Sequence, residues 1–338
     1  TNVKIQMILI PISLAAILLL AIWMRKKAAH NNPYLQPQEA PKYFRDLPSE
    51  DLPALVYTLM TYYPKGRKLC GDEGNKISAT LLDLTARGII TAQEGKAGLF
   101  TKPQAELTLV QDAYEKAELS EYERKLIQLC FEQIAPAGEP LRPKDIKRYG
   151  EHHPNRMLAE LNEMDALSDR EAKQKYYGPS VSYGKQFLAA FLPPFLLGLL
   201  LAITGLARIL GIAMAVFGIL VSLLAFIGFS TKRLNQAGED QFALWLAFRN
   251  FLEDFSQFDQ KELPELALWE RYLPYAAALG AADRLIKQLP VVYPQLQEYG
   301  YTDFYLLYLM THRGGYGSYL QSVRSISDSL HTTRQTIT

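Results

Sequence analysis

The chain has 338 residues, a formal net charge of +1, 49% hydrophobic and 21% charged residues, and two cysteines. A balance so close to neutral argues against a nucleic-acid binder that works through a basic block. Two distant cysteines, Cys70 and Cys130, argue against a disulfide scaffold.

In chain order, residues 7–24 form an apolar run followed by Arg25, Lys26 and Lys27, with Lys4 alone before it. Residues 186–204 and 209–229 form two more runs, divided by Arg208, the one formal charge between Lys185 and Lys232. A hydrocarbon core about 30 Å thick takes roughly 20 apolar residues of helix, and in lipid the backbone must pair with itself. Three transmembrane helices are therefore expected, the last two as a hairpin over 186–230. Pro193 and Pro194 predict a kink. Gly211, Ala215, Gly218 and Ser222 recur at helical spacing and predict a small-residue face that a neighbouring helix can approach. Flanking cations stay on the cytoplasmic side, which places residues 28–185 and everything from 231 onward in the cytoplasm and 205–208 outside. The interior of the runs holds no acid, base or amide of the kind that marks a substrate path, which argues against a transporter. The chain opens on Thr1 without an initiator methionine, so a preceding exported segment is expected.

Residues 28–48 include Pro33, Pro37, Pro41 and Pro48 and predict an extended linker. Apolar periodicity predicts helices over 51–62 and 75–87, the second closed by Gly88. Ile89-Ile90-Thr91 and the alternating Ala105-Glu106-Leu107-Thr108-Leu109-Val110 predict a two-stranded hairpin. Helix, helix and hairpin is a winged-helix order, so residues 49–185 are expected to form a winged-helix-like α+β domain with added helices. A recognition helix needs side chains that reach base edges and phosphates. Residues 75–87 offer Asn75, Lys76 and Arg87 around an apolar centre, and the basic cluster Lys65, Arg67 and Lys68 is offset by Asp72 and Glu73. Contact with protein, or a structural role alone, is therefore favoured over contact with DNA. Further on, Ser120 and Glu123 fit a capping box that opens a helix reaching Ile134, residues 136–143 are expected as a loop, and another helix is expected over 154–164.

Motifs for chemistry are weak. Glu151, His152 and His153 are too close in sequence to share one helical face, and no C-x-x-C or H-E-x-x-H accompanies them, so a solvated loop edge is expected and no metal. Gly71, Gly74 and Lys76 lack phosphate-loop spacing, and Asp72 and Glu73 would repel phosphate. There is no G-x-S-x-G, and Gly315, Gly317 and Ser318 stand in a bare turn. No catalytic residue, cofactor or metal is expected, and the protein is not expected to be an enzyme.

Residues 231–310 are expected to form a second helical domain. Phe242, Trp245, Phe248, Phe251, Phe255 and Phe258, spaced by three or four, make one helical stripe that predicts core packing, with docking on lipid as the alternative. A further helical stretch begins at Trp269 and runs to about residue 289. Trp245, Phe248, Trp269, Tyr272 and Tyr275 are the candidate interaction surface. The tyrosines between Tyr293 and Tyr319 suit a membrane interface or a helical core edge, and residues 311–338 are expected as a flexible tail.

Ala79-Thr80-Leu81-Leu82-Asp83-Leu84 with Arg87-Gly88, Gly238-Glu239, Trp245, Phe248-Arg249, and Trp269-Glu270 followed by Tyr272-Leu273-Pro274-Tyr275-Ala276 and Gly280 carry a resemblance. Over residues 41–289 the chain resembles the YciQ-like predicted membrane proteins of bacteria, whose domain has no assigned function. The resemblance implies a bacterial plasma-membrane protein with an exported β-rich domain ahead of residues 7–24, and it supplies no catalytic residue. Taken together, the expected fold class is a mainly α membrane protein. It has three transmembrane helices (the first in residues 1–27), a winged-helix-like cytoplasmic domain and a C-terminal helical cytoplasmic domain. The expected function is a membrane-anchored protein-interaction or signal-relay module, with the lipid bilayer and other proteins as partners. The alternative is a membrane-tethered winged-helix DNA-binding regulator.

Overall fold

The computed structural model describes residues 37–94, 105–135, 138–178, 181–182, 184–204, 208–228, 230–231, 234–258 and 268–292, single positions between 8 and 22, and residues 332, 334 and 335. The chain divides into two compact units, Thr1–Gln36 with Tyr177–Gln236, and Pro37–Tyr176 with Ala237–Thr338. The second, the main unit, is assembled from two stretches of chain.

Helix α1 (Pro53–Met60) and helix α2 (Pro64–Cys70) both open on proline, whose fixed φ suits a first turn and whose missing N–H is an orphan there in any case. Helix α3 (Glu73–Ala86) begins where the Asp72 carboxylate accepts the Gly74 N–H at 3.0 Å, and it closes at Gly88, whose φ of 72° few other residues adopt. Strands β1 (Ile90–Glu94) and β2 (Ala105–Leu109) pair antiparallel with Ile90 opposite Leu109. Leu107 also exchanges both backbone hydrogen bonds with Leu141, at 3.1 and 2.7 Å. Helix α4 (Gln111–Lys116) leads to α5 (Glu121–Ile127), whose capping box is complete: Glu123 N–H donates to Ser120 Oγ at 3.2 Å and Ser120 N–H to Glu123 Oε2 at 2.8 Å. A π-helical turn over Gln128–Ile134 continues α5. Helices α6 (Pro143–His152) and α7 (Pro154–Tyr176) follow, and α7 buries Met157, Leu161, Met164, Ser168, Ala172 and Tyr176 along one stripe.

The hairpin unit contains β3 (Val181–Ser182), α8 (Gly184–Ile203), α9 (Arg208–Gly228) and β4 (Ser230–Thr231), with β3 and β4 antiparallel. Its two helices touch through glycine. A Cβ at Gly211 would stand 2.5 Å from the Gly198 carbonyl oxygen and 2.6 Å from the Ala202 nitrogen, and one at Gly198 would meet the Gly211 oxygen at 2.9 Å. The small-residue face expected at Gly211 and Ala215 is thus the contact between α8 and α9. Gly211→Ala should weaken this hairpin by about 1–3 kcal/mol, because backbone cannot yield as a flexible side chain can. Thermal unfolding of the variant would show an early transition, and an unchanged melt would disprove the close approach.

Back in the main unit, α10 (Gln236–Asp254) ends in a short 3₁₀ turn, Phe255–Gln257, and is followed by α11 (Leu268–Ala278) and α12 (Ala282–Val292). Gly280, at φ 69°, separates the last two, with Ala281 N–H returning to the Ala276 carbonyl at 2.8 Å. Helix α3 sits at the centre of the unit, packed against α11 and α1, while α7 covers α1 and α5. Residues 37–48 carry no regular structure and are tied to the later helices. Phe44 N–H reaches the Ala247 carbonyl at 3.3 Å, Asn250 Nδ2 the Lys42 carbonyl at 3.1 Å, and the Tyr272 hydroxyl the Arg45 carbonyl at 2.9 Å.

Two expectations about fold class are corrected. Among the described residues no helix is long and apolar enough to cross a membrane, so three transmembrane helices over 7–24, 186–204 and 209–229 do not stand. A span takes roughly 20 continuous apolar residues. The multi-pass orientation inferred from flanking cations rested on those spans and goes with them. The winged-helix-like domain is also corrected. The helices and the hairpin are in the expected order, but α3 is not displayed as a recognition helix: Ile77, Ala79, Leu81, Leu82 and Leu84 are buried, and α11 lies along it. The three side chains offered for DNA all have partners within the protein. Asn75 Nδ2 donates to the Cys70 carbonyl at 2.6 Å, Lys76 pairs with Asp165, and Arg87 pairs with Asp83 and Glu123. Residues 293–331, including the tyrosine-rich stretch and the glycines near 315, lie outside the described residues.

Candidate functional site

The five aromatic residues expected at an interaction surface are brought together in the interior. Trp245 stacks on Tyr275 with centroids 5.1 Å apart, Phe248 meets Tyr272 edge-on at 5.1 Å, and Trp269 lies 5.6 Å from Tyr272 and 4.6 Å from Phe255. Their exposures run from 0% for Trp245 to 8% for Tyr275, so in this fold they lock α10 against α11. Arg249 reinforces that joint by donating to the Leu279 carbonyl at 2.9 Å and, through both terminal nitrogens, to Glu253 at 2.7 and 2.9 Å.

A concave feature of the main unit lies elsewhere, where the start of α3 faces α7. A cavity of about 580 Å³ opens there, bounded by Tyr57 and Thr58 of α1 and Thr61 just past its end, Arg67 of α2, Asp72, Glu73 and Lys76 around the start of α3, and Asp165 and Asp169 of α7. Each wall follows from local sequence. Asp72 is fixed as the N-cap of α3, Lys76 lies one turn further on, and Asp165 and Asp169, four residues apart, share one face of α7.

Lys76 is the buried cation of the cleft. Its side chain is 7% exposed, its ammonium lies 2.5 Å from Asp165 Oδ1 and 3.3 Å from Ser168 Oγ, and it sits 5.4 Å from the centre of the Tyr122 ring. Thr58 Oγ1 donates to Ser168 Oγ at 3.2 Å, which ties α1 to α7 behind the pair. The Tyr57 hydroxyl donates to the Gly71 carbonyl at 3.2 Å. Burial, reinforced by the negative charge of Glu73, Asp72 and Asp165, holds the Tyr57 phenol well above its ordinary range, so it stays protonated at any physiological pH.

Arg334 enters the cleft from far along the chain. Its Nη1 pairs with Glu73 and, at 2.5 Å, with Asp165 Oδ2, and its Nη2 donates to Asn162 Oδ1 at 2.8 Å. Burial alone would lower the Arg334 pKa, but the hydrogen bond to Asp165 and the carboxylates of Asp165 and Glu73 outweigh it and hold it above its ordinary value.

Chemically, the cleft offers carboxylates, an ammonium already committed to Asp165, and hydroxyls. These hold a cation and accept hydrogen bonds. Among the described residues no group of three or more His, Cys, Asp or Glu is placed to hold a metal. The thiols of Cys70 and Cys130 are buried and pushed up to about 12, Cys70 by desolvation that the charge of Arg249 only partly offsets and Cys130 by desolvation alone, which leaves both unreactive near neutrality. His152 and His153 are exposed at the end of α6.

These features define a helical domain built round a polar cleft, joined to a glycine-packed hairpin whose described surface is largely apolar. Residues 40–289 match the family described as Predicted membrane protein (DUF2207) C-terminal domain, and the chain belongs to that family. This is a predicted membrane protein domain of unknown function, and the matched residues agree with the resemblance seen over 41–289. Neither curated proteins nor solved structures gave a match.

Proposed function

We propose that this protein works at a membrane as a non-catalytic protein-interaction or signal-relay module, with the acidic cleft of the main unit as its contact site. The cleft carries the reading: four carboxylates, Asp72, Glu73, Asp165 and Asp169, face three cations, Arg67 and Lys76 on the surrounding helices and Arg334 from far along the chain. A rigid frame with unbalanced charge presents a defined electrostatic target without spending binding energy on ordering itself. Membrane association suits the hairpin unit, where Leu196, Leu197, Leu200, Ile203, Ile212 and Val216 are exposed large apolar side chains. The DNA-binding alternative loses support with α3 in the core, where Asn75, Lys76 and Arg87 are engaged by the Cys70 carbonyl, Asp165, Asp83 and Glu123.

A photo-crosslinking amino acid placed at Asp169, in full-length protein in native membranes, tests the reading. A discrete protein adduct is expected that weakens at least fivefold when Glu73→Gln is added. The same adduct pattern from a probe at Lys147, on the exposed face of α6, would refute it.

A further inference from the structure

We infer that the cleft is a binding site for a guanidinium group, that its ligand is an arginine side chain of a partner peptide, and that Arg334 is a built-in occupant that competes for it. The inference rests on the interaction reading above and names the chemistry of its ligand.

Three observations carry it. The first is the occupant itself. Arg334 brings a planar fork of donors to three acceptors on two helices, with Nη1 between Glu73 and Asp165 and Nη2 on Asn162. A compact ammonium presents its donors from one point and cannot span acceptors set apart in this way, whereas a guanidinium matches them. The second is the division of Asp165, whose Oδ1 takes Lys76 while its Oδ2 takes Arg334. Lys76 thus holds the carboxylate in position and leaves one oxygen free to receive a second cation. The third is Tyr122. It lines the inner extension of the cleft with Lys76, Asp165 and Arg334, it is 2% exposed, and its hydroxyl has no hydrogen-bond partner among the described residues. A buried hydroxyl without a partner is disfavoured in a finished core. It is accounted for by a site that a ligand completes, since the phenolic oxygen can accept from one of the five N–H groups of an entering guanidinium.

Charge agrees with this assignment. With Arg334 removed, the cleft keeps Asp72, Glu73, Asp165 and Asp169 against Arg67 and Lys76. It therefore calls for a cation, and the acceptor geometry selects arginine over lysine. An arginine supplied by the chain itself acts at high effective concentration, so a partner's arginine must displace it. The resident contact is then a brake on binding.

The test uses the full-length chain in detergent and N-acetyl-arginine amide as probe, with binding followed by NMR titration. Arg334→Ala should bind the probe at least tenfold more tightly than the parent, and the lysine analogue at least fivefold less tightly than the arginine one. Adding Glu73→Gln to Arg334→Ala should reduce affinity at least tenfold. Glu73 is 45% exposed at its side chain, so this change reads the site rather than the fold. Equal affinity in the parent and Arg334→Ala, no binding to either, or indifference to Glu73→Gln overturns the inference. A specific crosslink at Asp169 combined with no arginine binding would leave the interaction reading in place and sink the guanidinium site alone. Arginine binding without a crosslink would do the reverse.

Discussion

Arg87→Ala should lower the free energy of unfolding by about 3–5 kcal/mol, measured by chemical denaturation at neutral pH. Arg87 lies between two carboxylates, pairing Nε with Asp83 Oδ2 at 2.9 Å and Nη2 with Glu123. Glu123 is 2% exposed at its side chain and is already committed to the capping box of α5. Without the guanidinium, two acids are left facing each other in a desolvated pocket, and the loss reflects that repulsion more than any missing attraction. The effect should depend on pH. Burial, only partly countered by Arg87 and reinforced by Glu123, raises Asp83 from 3.8 to about 6. A carboxyl with a raised folded pKa binds its proton more tightly in the folded state. Its contribution is fully present below the unfolded value of 3.8 and is lost as pH rises through about 6. The parent should therefore lose stability between about pH 4 and 6, by about 1–3 kcal/mol. In Arg87→Ala the decline should be steeper and extend to higher pH, and a variant with a flat profile across this window would refute the assignment.

Gly280→Ala should destabilise the main unit by about 3 kcal/mol, and the control Gly88→Ala by about 1 kcal/mol. Both glycines have φ near 70°, so both substitutions pay the left-handed penalty. Their surroundings differ. Nothing lies within 4 Å of a Cβ at Gly88, whereas one at Gly280 would stand 2.3 Å from the Leu69 carbonyl oxygen and 3.3 Å from the backbone of Cys70. The difference between the two variants isolates the steric part, where the turn between α11 and α12 rests on the end of α2. Equal losses in urea titrations would show that the turn is not seated there.

The parts of this architecture that could be read from sequence are those fixed locally. Ser120 and Glu123 announce α5 because a capping box is made within four residues. The apolar rhythm and Gly88 mark α3, and the alternation around Leu107 marks β2. The π turn at Gln128–Ile134 was not legible, since its apolar spacing passes for ordinary helix. Nor was the site. Asp72 and Glu73 look in sequence like a screen for the basic residues before them, and nothing local joins Glu73 to Asp165 or to Arg334. One signal was available: Leu161, Met164, Ser168, Ala172 and Tyr176 keep a three-to-four spacing well past residue 164, extending α7 and setting Asp165 and Asp169 on one face. Trp245, Phe248, Trp269, Tyr272 and Tyr275 illustrate the limit in the other direction. Aromatic residues serve surfaces and cores alike, and only the joining of α10 to α11 decided which.

The interleaving of Pro37–Tyr176 with Ala237–Thr338 has a consequence for biosynthesis. A ribosome completes α3 long before it reaches α11, the helix that covers it. Throughout that interval the nascent polypeptide carries an apolar edge with no mate, and closing so long a loop makes the final collapse slow. A chain released after residue 236 would keep that edge permanently open and should aggregate.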